Sequence, residues 1–176
     1  MILRPAVGCL LLLSALAGEA PLWAGAAGVA PTLPATVSEL AVTAGVGGAF
    51  DSERFAEAGF ELQLRPGLLG IQAILGASLA ESESFYGYLG LRREFSWDPF
   101  YAAGFTGLGR FRLGERPDLG GGLEFRSGLE LGIRTPGDLK FGVVLYHLSN
   151  GGIEQRNPGS ETLALTFSLP LRERLR

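Results

Sequence analysis

Three polar side chains near the end of the chain have the types that hydrolysis of an acyl bond requires. His147 is the only histidine among the 176 residues, Ser149 lies two positions after it, and Glu161 lies twelve positions after Ser149. A serine hydroxyl becomes a nucleophile when a neighbouring base takes its proton, and a carboxylate orients that base. Asn150, or the peptide N–H groups of the two glycines that follow it, would supply donors to a developing oxyanion.

The spacing of these residues predicts that they share one face of a β-hairpin. Alternate residues of a strand point to the same side, so His147 and Ser149 extend an apolar row that begins at Leu139. Glu161 begins a second row of the same kind, which ends at Leu169. If the two strands pair, the three polar groups meet at one end of both rows. The alternative is that His147 is an interfacial residue and that Ser149 and Asn150 simply begin a loop.

Strand periodicity extends over most of the chain. From about residue 38 onward, apolar side chains recur at every second position in eight segments. Members of the apolar rows are Leu40 in the first segment, Phe60 in the second, Leu69 and Leu75 in the third, Leu129 in the sixth, Leu145 in the seventh and Leu165 in the eighth. The fourth and fifth segments, residues 85–94 and 101–111, are rich in glycine and aromatic residues. Strands of about 9 to 11 residues in an even number are typical of barrels in outer membranes, where the apolar face contacts lipid. We therefore expect an all-β, eight-stranded antiparallel transmembrane barrel over residues 38–171, with a soluble secreted sandwich as the alternative.

In such a barrel the polar face of each strand points into a narrow interior. The side chains expected there as packed ion pairs are Glu61, Arg65, Arg92, Glu124, Arg126, Glu130 and Arg134. Residues 135–138 form a short connection and residues 151–160 a long one. Because outer-membrane barrels keep long loops outside, the seventh strand should run outward and the eighth inward.

The rest of the composition excludes several classes of function. Residues 1–24 have the layout of a secretory signal peptide, with Arg4 before an apolar run and small residues after it. The cleavage position is open, and the alternative is an uncleaved membrane anchor. Cys9 lies inside that run, so the mature chain is expected to have no thiol chemistry. The net charge of −3 and scattered basic residues argue against nucleic-acid binding. No cluster of His and Cys indicates a bound transition metal.

Two stretches of the chain resemble the outer-membrane lipid A 3-O-deacylase family, often called PagL. They are residues 146–152 with 157–163, which read YHLSNGG and NPGSETL, and residues 88–97, which read YLGLRREFSW. The resemblance implies a catalytic triad of His147, Ser149 and Glu161 on the lipid-facing surface, with Asn150 at the oxyanion. It also implies that lipid A in lipopolysaccharide is the substrate, that membrane lipid surrounds the protein, and that no cofactor is needed.

The end of the chain departs from a common feature of such barrels. Many of them finish the last strand with an aromatic residue, whereas this chain continues through Leu171 into a charged tail at 172–176. The leading hypothesis is an ester hydrolase, and the rival is a barrel with a structural or surface-binding role. The sequence leaves open whether the protein forms a homodimer.

Overall fold

The computed structural model describes residues 37–81, 83–112 and 119–171. The predicted signal peptide and the charged tail lie outside these residues. Eight strands are present: β1 Val37–Gly47, β2 Phe55–Leu64, β3 Ile71–Ala80, β4 Phe85–Trp97, β5 Phe100–Arg112, β6 Leu123–Arg134, β7 Lys140–Ser149 and β8 Ser160–Pro170. Each strand pairs antiparallel with its neighbours in sequence, and β1 closes on β8. The predicted eight-stranded antiparallel barrel is confirmed.

The strands are tilted, as closure of a small barrel requires. A path that follows the paired residues from Ser160 around the barrel returns to β8 at Pro170, ten residues further along the chain. Its steps are Ser160, Leu148, Arg126, Gly107, Gly90, Ile74, Gln63, Glu39 and Pro170. Two residues that face each other across strands therefore lie at different depths along the barrel axis.

The outward face carries the apolar rows. Leu89, Leu129 and Leu165 are each about two-thirds exposed, at 67%, 68% and 68%. A continuous exposed apolar surface of this kind is what a transmembrane barrel presents to hydrocarbon. One expected member of the third row, Leu69, lies instead in a short 3-10 turn at Leu68–Gly70, where its φ of 60° interrupts the strand. None of the helices in the described residues is long and apolar enough to cross a membrane.

The interior is filled by buried charges that pair with one another. Arg92 donates to Glu130 at 2.7 Å, and the Tyr101 hydroxyl donates to the same carboxylate at 2.6 Å. Lys140, which the sequence analysis did not place inside, donates to Glu39 and to Glu94 at 2.7 Å each. Pairing of this kind offsets the cost of removing the charges from water.

Arg126 lies at the centre of the interior, beneath the outer end of the barrel. Its guanidinium stands 4.4, 4.6 and 4.1 Å from the ring centroids of Tyr88, Phe105 and Tyr146. It also forms an ion pair with Glu61 at 3.4 Å. Aromatic faces and one carboxylate thus hold the Arg126 guanidinium inside the barrel.

Two predictions about the interior are wrong. Arg65 is exposed because β2 ends one residue earlier, at Leu64. Glu124 does point inward and is fully buried, but neither of its carboxylate oxygens has a hydrogen-bond partner among the described residues. Ion pairing was inferred from alternation alone, which gives the face of each side chain and not its partner.

The two ends of the barrel differ in their connections. Residues 48–54, 81–84 and 150–159 connect strands at the end where β7 finishes, together with the longer segment between β5 and β6. Residues 65–70, 98–99 and 135–139 connect strands at the opposite end. We call the first end the outer end, since outer-membrane barrels keep their longer loops outside.

Candidate active site

His147 and Glu161 form a cross-strand pair on the outward face of β7 and β8. They are directly opposite in the strand register, and the imidazole Nδ1 is 2.9 Å from Glu161 Oε1. The side chains are 45% and 33% exposed, so both remain accessible from the membrane side. Opposed residues in antiparallel strands have Cβ atoms about 5 Å apart, which is the separation that an imidazole and a carboxylate need to hydrogen-bond.

The local sequence explains why the pair lies where it does. Below it, toward the centre of the membrane band, the same two rows continue with Leu145 and Leu163, which are also directly opposite each other. These leucines are 40% and 46% exposed. The polar pair therefore stands at the outer edge of an apolar surface, where substituents of a lipid would reach it.

Ser149 is the last residue of β7 and lies on the same face as His147. It is half-buried, and its register partner is Phe125. Its hydroxyl forms no hydrogen bond with any residue in the described part of the chain. The structure thus brings His147 and Glu161 together in a hydrogen bond and places Ser149 beside them without linking it to the imidazole.

Gly159, in the β7–β8 loop, fixes which way the imidazole faces. A Cβ atom built on Gly159 would lie 2.6 Å from His147 Cε1 and 3.2 Å from Nε2. With Nδ1 directed at β8, the Cε1 and Nε2 edge therefore faces the loop at the outer end. Ser149 lies toward this end, two residues further along β7.

A second hydroxyl, which the sequence analysis did not single out, lies beside the same histidine. Ser127 on β6 is exposed, points outward and is directly opposite His147 in the register. Pairing of β6 with β7 was needed to find it, because Ser127 is twenty positions away in sequence. Ser127 lies on the β6 side of His147. The imidazole Nδ1 is directed to Glu161 on β8, and the Cε1 and Nε2 edge faces the β7–β8 loop.

Asn150 is fully buried beneath the β7–β8 loop. Its side-chain amide donates to the carbonyl oxygens of Leu119 at 3.1 Å and Arg156 at 2.7 Å. Its Oδ1 accepts from the N–H of Gly152 at 3.0 Å. Both amide hydrogens are therefore engaged, and Asn150 joins the β7–β8 loop to the segment that precedes β6.

Of the three consecutive backbone N–H groups at residues 150–152, one is free of a hydrogen bond among the described residues. The N–H of Asn150 itself is directed to Asn157 Oδ1 at 3.0 Å, and that of Gly152 is directed to Asn150. Gly151 is exposed, with a φ of 65°, and within the described residues its N–H has no partner. The same segments contain no group of three or more His, Cys, Asp and Glu side chains that could hold a metal ion.

Comparison with known proteins identifies the family to which this arrangement belongs. The family model described as lipid A 3-O-deacylase (PagL) matches residues 69–170, which include the six complete strands β3 to β8 and therefore the whole β7–β8 hairpin. The chain belongs to the PagL family. Membership makes it an ester hydrolase of the outer membrane, and it implies removal of the 3-O-linked acyl chain of lipid A.

Solved structures agree with the PagL fold. The crystal structure of the outer membrane enzyme PagL matches with a TM-score of 0.62 and 20% identity, over 76% of this chain and 99% of that one. Neisserial surface protein A (NspA) matches with a TM-score of 0.51 and 11% identity, over 76% of this chain and 96% of that one. At these identities the structures show a shared barrel and nothing finer. No curated protein matches the chain in sequence.

Proposed function

We propose that this PagL family member hydrolyses the 3-O-acyl ester of lipid A with Ser149 as nucleophile, His147 as base and Glu161 as the orienting carboxylate. The observation that carries the proposal is the 2.9 Å contact between His147 Nδ1 and Glu161 Oε1 on the lipid-facing surface. A carboxylate on that surface is costly unless it is partnered. A histidine that is partnered in this way keeps Nε2 available for proton transfer.

The reaction proceeds in two acyl transfers. Ser149 Oγ attacks the ester carbonyl carbon while His147 Nε2 takes the hydroxyl proton, and the collapsing intermediate returns that proton to the departing sugar oxygen. Water then attacks the acyl-enzyme with the same base, which releases a fatty acid and regenerates the serine. Glu161 accepts a hydrogen bond from Nδ1–H throughout and stabilises the imidazolium that forms.

For this chemistry the Ser149 side chain must form a hydrogen bond to His147 Nε2 that is absent among the described residues. Its hydroxyl has no competing hydrogen bond in the described residues, so no existing interaction opposes a rotamer that faces Nε2. Catalytic hydrogen bonds are often long in the absence of substrate and shorten when it binds.

The hydrogen bonds of Asn150 bear on which group would stabilise the oxyanion. Asn150 was predicted as a donor from sequence, and this stays a prediction. If the Asn150 side chain donated to the oxyanion, it would lose its hydrogen bond to the carbonyl oxygen of Leu119 or of Arg156. We propose that the peptide N–H of Gly151 is the principal donor and that Asn150 positions it.

Delivery to the outer membrane is the remaining element of the proposal. The leader at 1–24 would direct export, and the mature barrel would insert with His147 near the outer leaflet. Lipid A in that leaflet would then present its acyl chains to the apolar rows and its ester bonds to the edge at which the pair stands.

The test is mass spectrometry of lipid A from cells that produce the wild type, Ser149→Ala or Ser127→Ala. We expect loss of one hydroxyacyl chain with the wild type and with Ser127→Ala, and intact lipid A with Ser149→Ala. Heat-modified electrophoretic mobility would confirm that all three proteins are folded. Continued deacylation by Ser149→Ala would overturn the assignment, and activity lost only in Ser127→Ala would transfer the nucleophile to β6.

A further inference from the structure

Two arginines stand on the outward face of β5 at its outer end. Arg110 and Arg112 are both exposed, and they alternate with the inward-facing Gly109 and Phe111. In the described residues, no carboxylate forms an ion pair with either guanidinium. A cation on the lipid-facing side of a barrel is unfavourable at mid-membrane, and the cost falls to almost nothing at the interface, where anionic groups of lipids lie. At the interface, the two guanidinium groups would lie at the level of the anionic groups of lipids.

The tilt of the strands brings Arg110 level with Ser149. The register connects Ser149 to Phe125 on β6 and Phe125 to Leu108 on β5. Since one full turn of eight strands displaces the register by ten residues, two strands displace it by about 2.5 residues toward the inner end. Arg110 lies two residues nearer the outer end than Leu108, which almost cancels this displacement.

The distance along the surface is short enough for one lipid headgroup to reach both sites. Two inter-strand spacings of about 4.8 Å and two residue rises of about 3.3 Å separate the Cα positions of Ser149 and Arg110 by roughly 12 Å. Much of this span can be covered by an extended arginine side chain together with a sugar. Arg112 continues outward from Arg110 on the same row.

The surface between the arginines and Ser149 is apolar. Leu108, Leu123 and Phe125 are exposed by 38%, 44% and 40%, and all three point outward. The Phe125 ring also lies under Gly151, since a Cβ atom there would be 3.2 Å from it. An acylated sugar seated at Ser149 would thus lay hydrocarbon on this surface and extend its polar substituents toward the row of arginines.

We infer that Arg110 and Arg112 bind a phosphate group of the substrate's sugar headgroup and so hold the ester over Ser149. The inference rests on the proposed function, because it takes Ser149 as the point of attack. Guanidinium groups match phosphate oxygens with two parallel hydrogen bonds, which a single ammonium cannot do. Phosphate on a neighbouring lipid that is not the substrate is the other source of the same chemistry.

The experiment compares purified wild type, Arg110→Gln, Arg112→Gln and the double variant in detergent micelles, on diphosphoryl lipid A and on lipid A without phosphates. The same proteins are also assayed in lipopolysaccharide bilayers, where neighbouring lipids supply phosphate. Arg93→Gln is the matched control. Arg93 is an exposed arginine of β4 whose guanidinium lies 4.8 Å from the Phe95 ring, in the inner half of the strand and far from Ser149. Ser149→Ala provides the background rate on each substrate.

We expect the double variant to lose about 10-fold or more in kcat/KM on the diphosphoryl substrate, mostly through KM, since charge-assisted hydrogen bonds are removed. On the dephosphorylated substrate, wild type and double variant should be equal, and Arg93→Gln should match wild type on both. Equal losses on the two substrates, or no loss on either, would overturn the inference. A loss seen only in lipopolysaccharide bilayers would do so as well, because it would assign the phosphate to a neighbouring lipid.

These outcomes separate the inference from the proposed function. If Ser149 is not the nucleophile, Ser149→Ala retains activity whatever the arginine variants do. If Ser149 is the nucleophile and the arginines do not bind phosphate, Ser149→Ala is inactive while the double variant acts on both substrates as wild type does.

Discussion

Gly159→Ala should inactivate the enzyme by displacing His147. The added Cβ atom would lie 2.6 Å from the imidazole Cε1, whereas ordinary contact begins at 3.4 Å. If the backbone holds, the ring must move by about 0.8 Å, the difference between these two distances. Misplacement of a reacting group by about 1 Å costs on the order of 10²-fold in rate. We therefore expect kcat to fall roughly 100-fold.

The backbone of Gly159 introduces a second effect that a control must remove. Its φ is 67°, a conformation that costs an L-residue about 1 to 2 kcal/mol. Gly152 lies in the same loop with a φ of 78°, and nothing lies within 4 Å of a Cβ atom built on it. Gly152→Ala therefore carries the same kind of strain without a contact to the histidine.

The assay measures kcat for release of 3-hydroxy fatty acid from lipid A in micelles, alongside the midpoint of thermal unfolding. Both variants should unfold at similarly reduced temperatures, and only Gly159→Ala should lose most of its activity. If the two variants retain the same kcat, the position of the imidazole does not depend on the missing side chain at Gly159. The conclusion that its Nε2 edge faces the loop is then refuted.

Three further predictions concern neighbouring interactions. Glu161→Gln should lower kcat by 10²-fold or more without changing the unfolding midpoint, since it removes the charge that supports the imidazolium; an unchanged kcat would remove Glu161 from the reaction. Asn150→Ala should destabilise the fold by about 1–3 kcal/mol for each buried partner it leaves unpaired, measured by urea unfolding in micelles. Arg126→Ala should destabilise the fold by about 3–5 kcal/mol in the same measurement, since Glu61 loses its ion pair. An unchanged free energy of unfolding would show that the aromatic rings stabilise the interior without the guanidinium.

Alternation of side chains was enough to predict the fold and the faces of its strands. The β6 row of Leu123, Leu129 and Ile133 against Glu124 and Glu130 shows why, because a shift by one residue would place charges in lipid and leucines inside. The same rule placed His147, Ser149 and Glu161 on one face. Register between β7 and β8 was then constrained by matching the two apolar rows.

Features that depend on partners across the barrel were not predictable in this way. Lys140 contacts Glu39 and Glu94, which are far apart in sequence and meet only after closure. Ser127 acquired its relation to His147 through β6 and β7 pairing, and Asn150 through hydrogen bonds to two separate segments. Local sequence says which side of a strand a residue occupies, whereas these contacts depend on the curvature and shear of the closed sheet.

Placement of the histidine and the glutamate on opposing strands has a consequence for where in the cell the enzyme can act. Both residues lie within strands, and the hydrogen-bond ladder of the β7–β8 hairpin sets them opposite each other. A slip of one residue in that ladder would turn Glu161 toward the interior and leave His147 alone. During transit through the periplasm, before the strands pair, the chain would carry the serine, histidine and glutamate without a working site. For the proposed triad, pairing of β7 with β8 would therefore be the step that forms the working site.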